Sequence, residues 1–195
     1  LKADGADIMI DFGKADFGVT VSDTYNAYRF VLSYDAEKLE YKSINTDATV
    51  KNENGTLTTL GDLLQTKKAV VLHFFASWLD ADYSDLPSVQ AAYTAYKDDI
   101  GFIAVSVEEQ DTVQSLAAAR TQNALTDLPL SLGGLNAFRQ FESEYIPFTV
   151  VVNADGTSGF EFDGVLGAEA MQRVLAAFVR ADGPLTLAEI PQKAD

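Results

Sequence analysis

Three carboxylates that could do chemistry crowd one short segment of this 195-residue chain. Asp80, Asp82 and Asp85 stand where a helix is expected to begin. Carboxylates at such a position can accept backbone N–H bonds and favour the positive end of the helix dipole, so capping is the main interpretation. The alternative is a divalent-cation site, because Ca²⁺ and Mg²⁺ prefer several oxygen ligands. The spacing fits no complete calcium loop.

The only histidine, His73, stands in an apolar run typical of a buried strand. As a general base it would need a nucleophile and an orienting partner within reach. Ser77 and Ser84 are the nearest hydroxyls in the sequence, but no third member of a triad and no oxyanion motif accompanies them. We therefore predict a buried, hydrogen-bonded core histidine.

The chain has no cysteine. This absence excludes disulfides, thiol nucleophiles, CxxC redox chemistry and thiolate metal sites. No cofactor is predicted. With 14 Lys and Arg against 29 Asp and Glu, the net charge is −15. That charge opposes binding to nucleic acids and to anionic lipid surfaces, where affinity comes from Lys and Arg.

The composition is that of a globular protein, with 47% hydrophobic residues. A chain of this size can bury one sizeable core without covalent staples. No apolar run reaches the roughly 18 residues of a membrane span, so none is expected. No leader signal is visible before Leu1, and the sequence leaves open whether a leader has been removed.

The first 45 residues alternate apolar and polar side chains with period two, which predicts half-buried strands. Three runs of apolar residues share this alternation: Ile8, Ile10 and Phe12; Phe17, Val19 and Val21; and Tyr28, Phe30, Leu32 and Tyr34. We therefore predict an N-terminal β-rich extension over residues 1–45.

From residue 46 the pattern predicts a hairpin, then β, α, β, α, a second hairpin and a final helix. Asn54-Gly55 is a strong turn signal for the first hairpin. The remaining expected elements are buried strands at 69–75 and 101–107, helices after Pro87 to Lys97 and from Val113 to Arg120, a short helix at 135–141, a hairpin of 148–152 with 159–162, and an amphipathic helix carrying Met171, Val174, Leu175 and Phe178. The segment before residue 135 is expected to be a loop.

Local motifs sharpen this order into a family resemblance. Residues 72–78, LHFFASW, resemble the strand and turn that lead into the CxxC motif of thioredoxin-like proteins of the TlpA/ResA and AhpC/TSA redoxin group. Asp85-Leu86-Pro87 resembles the acidic-x-Pro of that group's first helix, 146–149 its cis-proline segment, and 153–156 its hairpin turn. The resemblance covers about residues 48 to 180. It implies an α/β fold, a thioredoxin-like three-layer α/β/α sandwich at 46–182, followed by a polar tail at 183–195.

The chain departs from this family where the family does its chemistry. Leu79 and Asp82 stand at the two cysteine positions, and Tyr83 replaces the basic residue common there. The family's reaction needs a thiolate at a helix N-terminus that attacks a disulfide. Neither leucine nor aspartate can do this, so thiol–disulfide exchange and peroxide reduction by a protein thiol are excluded.

The resemblance still implies a groove that holds an extended peptide beside the tryptophan and the cis-proline. The predicted groove residues are Trp78, Leu79, Asp82, Tyr83, Ile146 and Pro147, which Tyr145 and Phe148 could extend. Backbone groups beside a cis X–Pro bond can pair with an added strand. The alternative is that Trp78 and Pro147 only pack and turn the chain.

Three functions stay open from the sequence. The first is a redox-inactive module that binds a protein or an extended peptide. The second is a non-thiol enzyme or divalent-cation site at Asp80, Asp82 and Asp85. The third is a structural domain of a larger surface protein, in which residues 1–45 are the functional part. The resemblance to exported TlpA/ResA-type proteins implies an extracytoplasmic location.

Overall fold

The computed structural model describes residues 2–4, 7–9, 44–47, 49–141 and 143–186. The chain divides into two compact units, Leu1–Glu40 and Tyr41–Asp195. In the first unit, β1 (Lys2–Asp4) pairs antiparallel with β2 (Asp7–Met9). Of the predicted N-terminal strands, only the stretch around Ile8 lies within these elements. The others lie outside the described residues.

The second unit is built on a seven-stranded mixed sheet of order β4-β3-β7-β6-β5-β8-β9. Its strands are β3 (Thr49–Asn52), β4 (Leu57–Thr59), β5 (Ala69–Phe75), β6 (Ile100–Ser106), β7 (Leu130–Leu132), β8 (Phe148–Asn153) and β9 (Ser158–Asp163). β5 pairs parallel with β6, and β6 pairs parallel with β7. β8 runs antiparallel to β5, and β9 runs antiparallel to β8. Both predicted hairpins, β3–β4 and β8–β9, are therefore confirmed.

Six helices lie in the described part of this unit. They are α1 (Leu60–Leu64), α2 (Ala81–Ser84), α3 (Leu86–Tyr96), α4 (Val113–Gln122), α5 (Leu135–Phe138) and α6 (Ala168–Arg180). Pro87 lies in the first turn of α3, where its missing N–H leaves no helical bond unmade. Thr59 and Thr112 cap α1 and α4 with reciprocal side-chain and backbone bonds.

The central strands β5 and β6 are buried along their whole length because helices cover both faces of the sheet. Alternate residues of β5 therefore enter two separate cores. Val71 and Phe75 pack with α3, α4 and α6, whereas Val70, Leu72 and Phe74 pack with α1 and α5. The predicted three-layer α/β/α sandwich is confirmed.

Two expectations about single elements were wrong. The segment before residue 135 is not only a loop, since Leu130–Leu132 forms β7 between β6 and β3. A three-residue strand is too short to leave a period in the sequence. The predicted helix at 135–141 ends at Phe138, because Gln140 and Phe141 donate to carbonyls three residues back instead of four. The helix expected to begin among Asp80, Asp82 and Asp85 starts at Ala81 as the short α2, and α3 follows it from Leu86.

The first residues of the predicted polar tail are attached to the sheet. The Leu185 N–H donates to Asn153 Oδ1 at 2.8 Å, and the Asn153 amide donates back to the Leu185 carbonyl at 2.9 Å. Leu185 also packs against the core beneath α6. This end of β8 is thereby closed, which leaves the opposite end of the strand for the candidate site.

Candidate functional site

The predicted groove residues meet at one edge of the sheet. Because β5 and β6 are parallel, the loops that follow Phe75 and Ser106 leave at the same edge. Phe74 pairs with Phe148, and Phe148 pairs with Asp163, so β8 begins and β9 ends there as well. We call this edge, formed by residues 76–85, 107–112, 143–147 and 164–167, the loop edge.

Asp111 fixes the loop that presents Trp78. Its carboxylate accepts the Ser77 N–H at 3.0 Å, and it also accepts the hydroxyls of Ser77, Ser106 and Ser115. Burial disfavours the ionised form of Asp111, but the serine hydrogen bonds outweigh it and keep the pKa of this carboxyl below its usual value. Two of these four charge-assisted bonds hold Ser77, the residue before Trp78, and the other two hold Asp111 to Ser106 and Ser115.

Trp78 itself projects from this fixed loop into solvent. Its side chain is 63% exposed. The indole Nε1–H donates to Glu108 Oε2 at 3.3 Å, which orients the ring while leaving most of its surface uncovered. Tryptophan is highly buried on average and is enriched at interfaces, because its large ring gains much from burial and its N–H can find a partner.

The residues at the cysteine positions lie on the next turn. Leu79 is half-buried, and its N–H donates to the Ala76 carbonyl at 3.1 Å. Asp82 and Tyr83 lie on α2 and are exposed, with Tyr83 at 65%. None of these three side chains has a hydrogen-bond or ion-pair partner within the described part of the chain. They are free to face a ligand.

Asp85 does not cap a helix through its side chain, which corrects the main interpretation of the acidic segment. It adopts a left-handed conformation with φ 52° between α2 and α3. Its buried carboxylate accepts the N–H groups of Leu166 at 2.8 Å and Gly167 at 3.2 Å. Asp85 thus ties α2 to the loop before α6. Asp80 precedes α2 but forms no side-chain cap either.

His73 is the core histidine that the sequence predicted. Its Nε2 lies 3.1 Å from the Ser84 carbonyl oxygen and its Nδ1 lies 3.0 Å from Thr149 Oγ1. Because a carbonyl oxygen can only accept, Nε2 carries the proton and Nδ1 accepts from the threonine hydroxyl. Complete burial lowers the pKa of His73, against the opposing effects of Asp85 and the Ser84 carbonyl. The neutral ring joins β5, β8 and the end of α2.

The proline segment forms the other wall of the loop edge. The Ile146–Pro147 peptide bond is cis. The Pro147 carbonyl accepts the Gly164 N–H at 2.7 Å, which joins this segment to the loop after β9. Tyr145 is 68% exposed. Within the described residues, the Ile146 N–H and C=O have no hydrogen-bond partner, so a backbone donor and acceptor are available beside the aromatic rings.

Comparison with solved structures identifies this architecture. DsbF of Mycobacterium tuberculosis aligns with a TM-score of 0.57 at 16% identity, over 68% of this chain and 96% of that one. A secreted disulfide oxidoreductase of the same organism aligns with a TM-score of 0.52 at 18% identity, over 69% of this chain and 95% of that one. An exposed lipoprotein thioredoxin of Streptococcus pneumoniae aligns with a TM-score of 0.52 at 19% identity, over 66% of this chain and 97% of that one. This chain has a thioredoxin-like fold.

At these identities the likeness shows the fold alone. No protein-family profile and no curated protein matches the chain. The thioredoxin-like unit contains no cysteine, so it cannot carry out the thiol chemistry by which oxidoreductases of this fold act. In the described part of the chain, no helix has the length and apolar character needed to cross a membrane.

The acidic segment does not form a ligand set in the thioredoxin-like unit. No three histidine or carboxylate side chains among the described residues converge as they would around a metal ion. The Asp85 carboxylate is already engaged by the backbone of Leu166 and Gly167, whereas Asp80 and Asp82 are exposed. The structure therefore does not bring Asp80, Asp82 and Asp85 together.

Sequence reasoning missed the residues that hold the loop edge in place. Asp111 and Glu108 act from the loop after β6, more than 25 positions beyond the residues they fix. The parallel pairing of two buried runs could have found them, because polar residues just after such runs meet at one edge. Asp85 carried no such signal, since its contact with residue 166 depends on the left-handed turn.

Proposed function

We propose that this chain is a redox-inactive thioredoxin-like binding module that holds an extended polypeptide segment across the loop edge. The observation that carries the proposal is the combination at that edge of exposed aromatic rings and an unpaired backbone. Trp78, Tyr83 and Tyr145 are each more than 60% exposed, and Ile146 offers one free N–H and one free C=O.

An extended segment suits both halves of this surface. Its backbone can pair with Ile146 as an added strand does, and its alternate side chains then point toward the same face. Tryptophan exposes on the order of 200 Å² when free. Covering the 63% of Trp78 that is exposed would contribute roughly 3 kcal/mol at about 25 cal/mol per Å², before the costs of association.

The proposal assigns no catalytic residue. The two positions at which relatives carry cysteine hold Leu79 and Asp82, and His73 is buried with both ring nitrogens engaged. We further propose an extracytoplasmic location. It is supported by the sequence resemblance and by two of the structurally similar proteins, one described as secreted and one as an exposed lipoprotein.

A library of random linear peptides displayed on phage tests the binding function. Peptides are selected on the wild-type protein, resynthesised with a fluorescent label, and measured by anisotropy against wild type and Trp78→Ala. We expect selected peptides to lose at least about tenfold in affinity for Trp78→Ala, which corresponds to about 1.4 kcal/mol.

The matched control is Leu57→Ala. Leu57 is 65% exposed, much like Trp78, but it lies on β4 at the far side of the sheet from β8. It should bind the peptides as wild type does. If no peptide is enriched on wild type, or if every enriched peptide binds Trp78→Ala and wild type equally, the loop edge is not a peptide-binding surface. Far-UV circular dichroism and a thermal melt of each variant show that it is folded.

A further inference from the structure

The charged groups of the loop edge all have one sign. Its segments 76–85, 107–112, 143–147 and 164–167 contain seven carboxylates and neither lysine, arginine nor histidine. The seven are Asp80, Asp82, Asp85, Glu108, Glu109, Asp111 and Glu144. Asp85 and Asp111 are used within the fold. Five carboxylates thus remain on the segments that surround the exposed aromatic rings.

Several cations of the described chain are held at the opposite edge of the sheet. Lys67 donates to the carbonyls of Lys97 and Asp98, and Lys68 donates to the Val179 carbonyl. Both lysines directly precede β5, whereas the loop edge follows it. The acidic character of the loop edge therefore comes from its own residues, and not only from the net charge of −15 on the whole chain.

We infer that the loop edge selects cationic polypeptide segments, in which lysine or arginine alternates with apolar residues. This inference rests on the proposed function. A cation over the face of Trp78 would interact with the ring quadrupole. Glu108 accepts the indole N–H and places its own negative charge at the same ring. An acidic segment would meet five like charges and would be rejected.

Extended geometry sets the spacing of the recognised residues. Side chains two positions apart on a strand lie on the same face, about 6.5 to 7 Å apart. A segment paired with Ile146 would thus present one set of side chains toward Trp78 and Tyr83, which lie on the neighbouring loop and on α2. Asp80 and Asp82 lie on the same stretch of chain and can pair with cations on that set.

The test uses three fluorescein-labelled octapeptides of one design, Gly-Xaa-Val-Xaa-Phe-Xaa-Val-Gly, with Xaa as lysine, glutamine or glutamate. Anisotropy with the full chain should rank their affinities in the order lysine, glutamine, glutamate. The lysine peptide should bind about tenfold more tightly than the glutamine peptide at low ionic strength. That difference should shrink toward 1 M salt, where the screening length falls to about 3 Å.

A charge variant and its control locate the effect. Asp82→Asn combined with Glu108→Gln should reduce the lysine preference about fivefold, because each exposed ion pair contributes modestly. Asp98→Asn combined with Asp99→Asn removes the same charge just before β6, at the opposite edge, and should change nothing. Equal effects of the two double variants would mean that the lysine preference depends only on the net charge of the protein, and this would overturn the inference.

The remaining outcomes separate the inference from the proposed function. If the glutamine peptide binds as tightly as the lysine peptide and both lose affinity for Trp78→Ala, the binding function stands and cation selection is wrong. If the display library yields Trp78-dependent peptides without an excess of lysine and arginine, cation selection is again wrong. If neither the octapeptides nor the library gives any Trp78-dependent binding, the proposed function fails together with the inference.

Discussion

Acidification through the ordinary pKa of histidine should destabilise this protein, and His73 alone should be responsible. The folded chain keeps the ring neutral, since burial lowers the pKa of His73 from its usual 6.5. The unfolded chain binds a proton near pH 6.5 as any exposed histidine does. The stability that the neutral ring contributes is therefore complete above about pH 6.5 and is lost progressively as the pH falls below it, until the folded form also takes up the proton.

The magnitude follows from linkage to a single proton. Each pH unit between the unfolded and folded pKa changes the free energy of unfolding by about 1.4 kcal/mol. From about pH 7.5 to about pH 5.5, the free energy of unfolding can therefore fall by at most about 1.4 kcal/mol, because the effect begins only near 6.5. For a chain of this size that limit corresponds to roughly 3 to 6 °C in Tm.

Urea unfolding followed by far-UV circular dichroism at several pH values measures this slope. His73→Asn is the matched variant, because asparagine can still donate toward the Ser84 carbonyl but does not titrate; His73→Gln serves if that protein does not fold. Since the chain has one histidine, the difference between wild type and variant isolates its proton from the relief of repulsion among the carboxylates. Parallel slopes in the two proteins would refute the reasoning.

Three further predictions, one of them with a control variant, concern the framework. Asp111→Ala should lower the free energy of unfolding by about 1 to 3 kcal/mol in urea titration, because three serine hydroxyls lose their shared acceptor. Gln90→Ala should cost a similar amount, since its buried amide oxygen accepts three backbone N–H groups, whereas Lys97→Ala should leave the melt nearly unchanged because its ion pair is exposed. Gly134→Ala should lower Tm clearly, because a Cβ there would lie 2.8 Å from both the Ser106 carbonyl and Val105.

The sheet and its main helices could be predicted because each depends on local patterns. Apolar runs at 69–75 and 101–107 indicate strands covered on both faces, and the turn signals at 54–55 and 153–156 indicate the two hairpins. β7 could not be predicted, since its three residues take their conformation from pairing with Ala104, Val105 and Lys51. The division of the helix at Asp85 likewise follows from contacts made 81 positions away.

The candidate site was predictable only as far as a motif describes it. The motif placed Trp78 and Pro147 on one groove, and the topology brings both to the same edge. Their supports were not visible, because Asp111 and Glu108 reach them across parallel strands. The different surroundings of the three aspartates were also not visible in the sequence. Asp85 is buried, whereas Asp80 and Asp82 are exposed, although all three are the same residue type on one short segment.

The structure separates what holds the loop edge from what the edge offers to a partner. Asp85, Asp111 and His73 are turned inward and fully hydrogen-bonded, so replacing them should lower stability first. Trp78 and Tyr83 are more than 60% exposed and contribute little to the core. Replacing them should therefore lower binding without lowering stability. A scaffold held this firmly keeps exposed rings in place at small entropic cost, which suits recognition and requires no thiol.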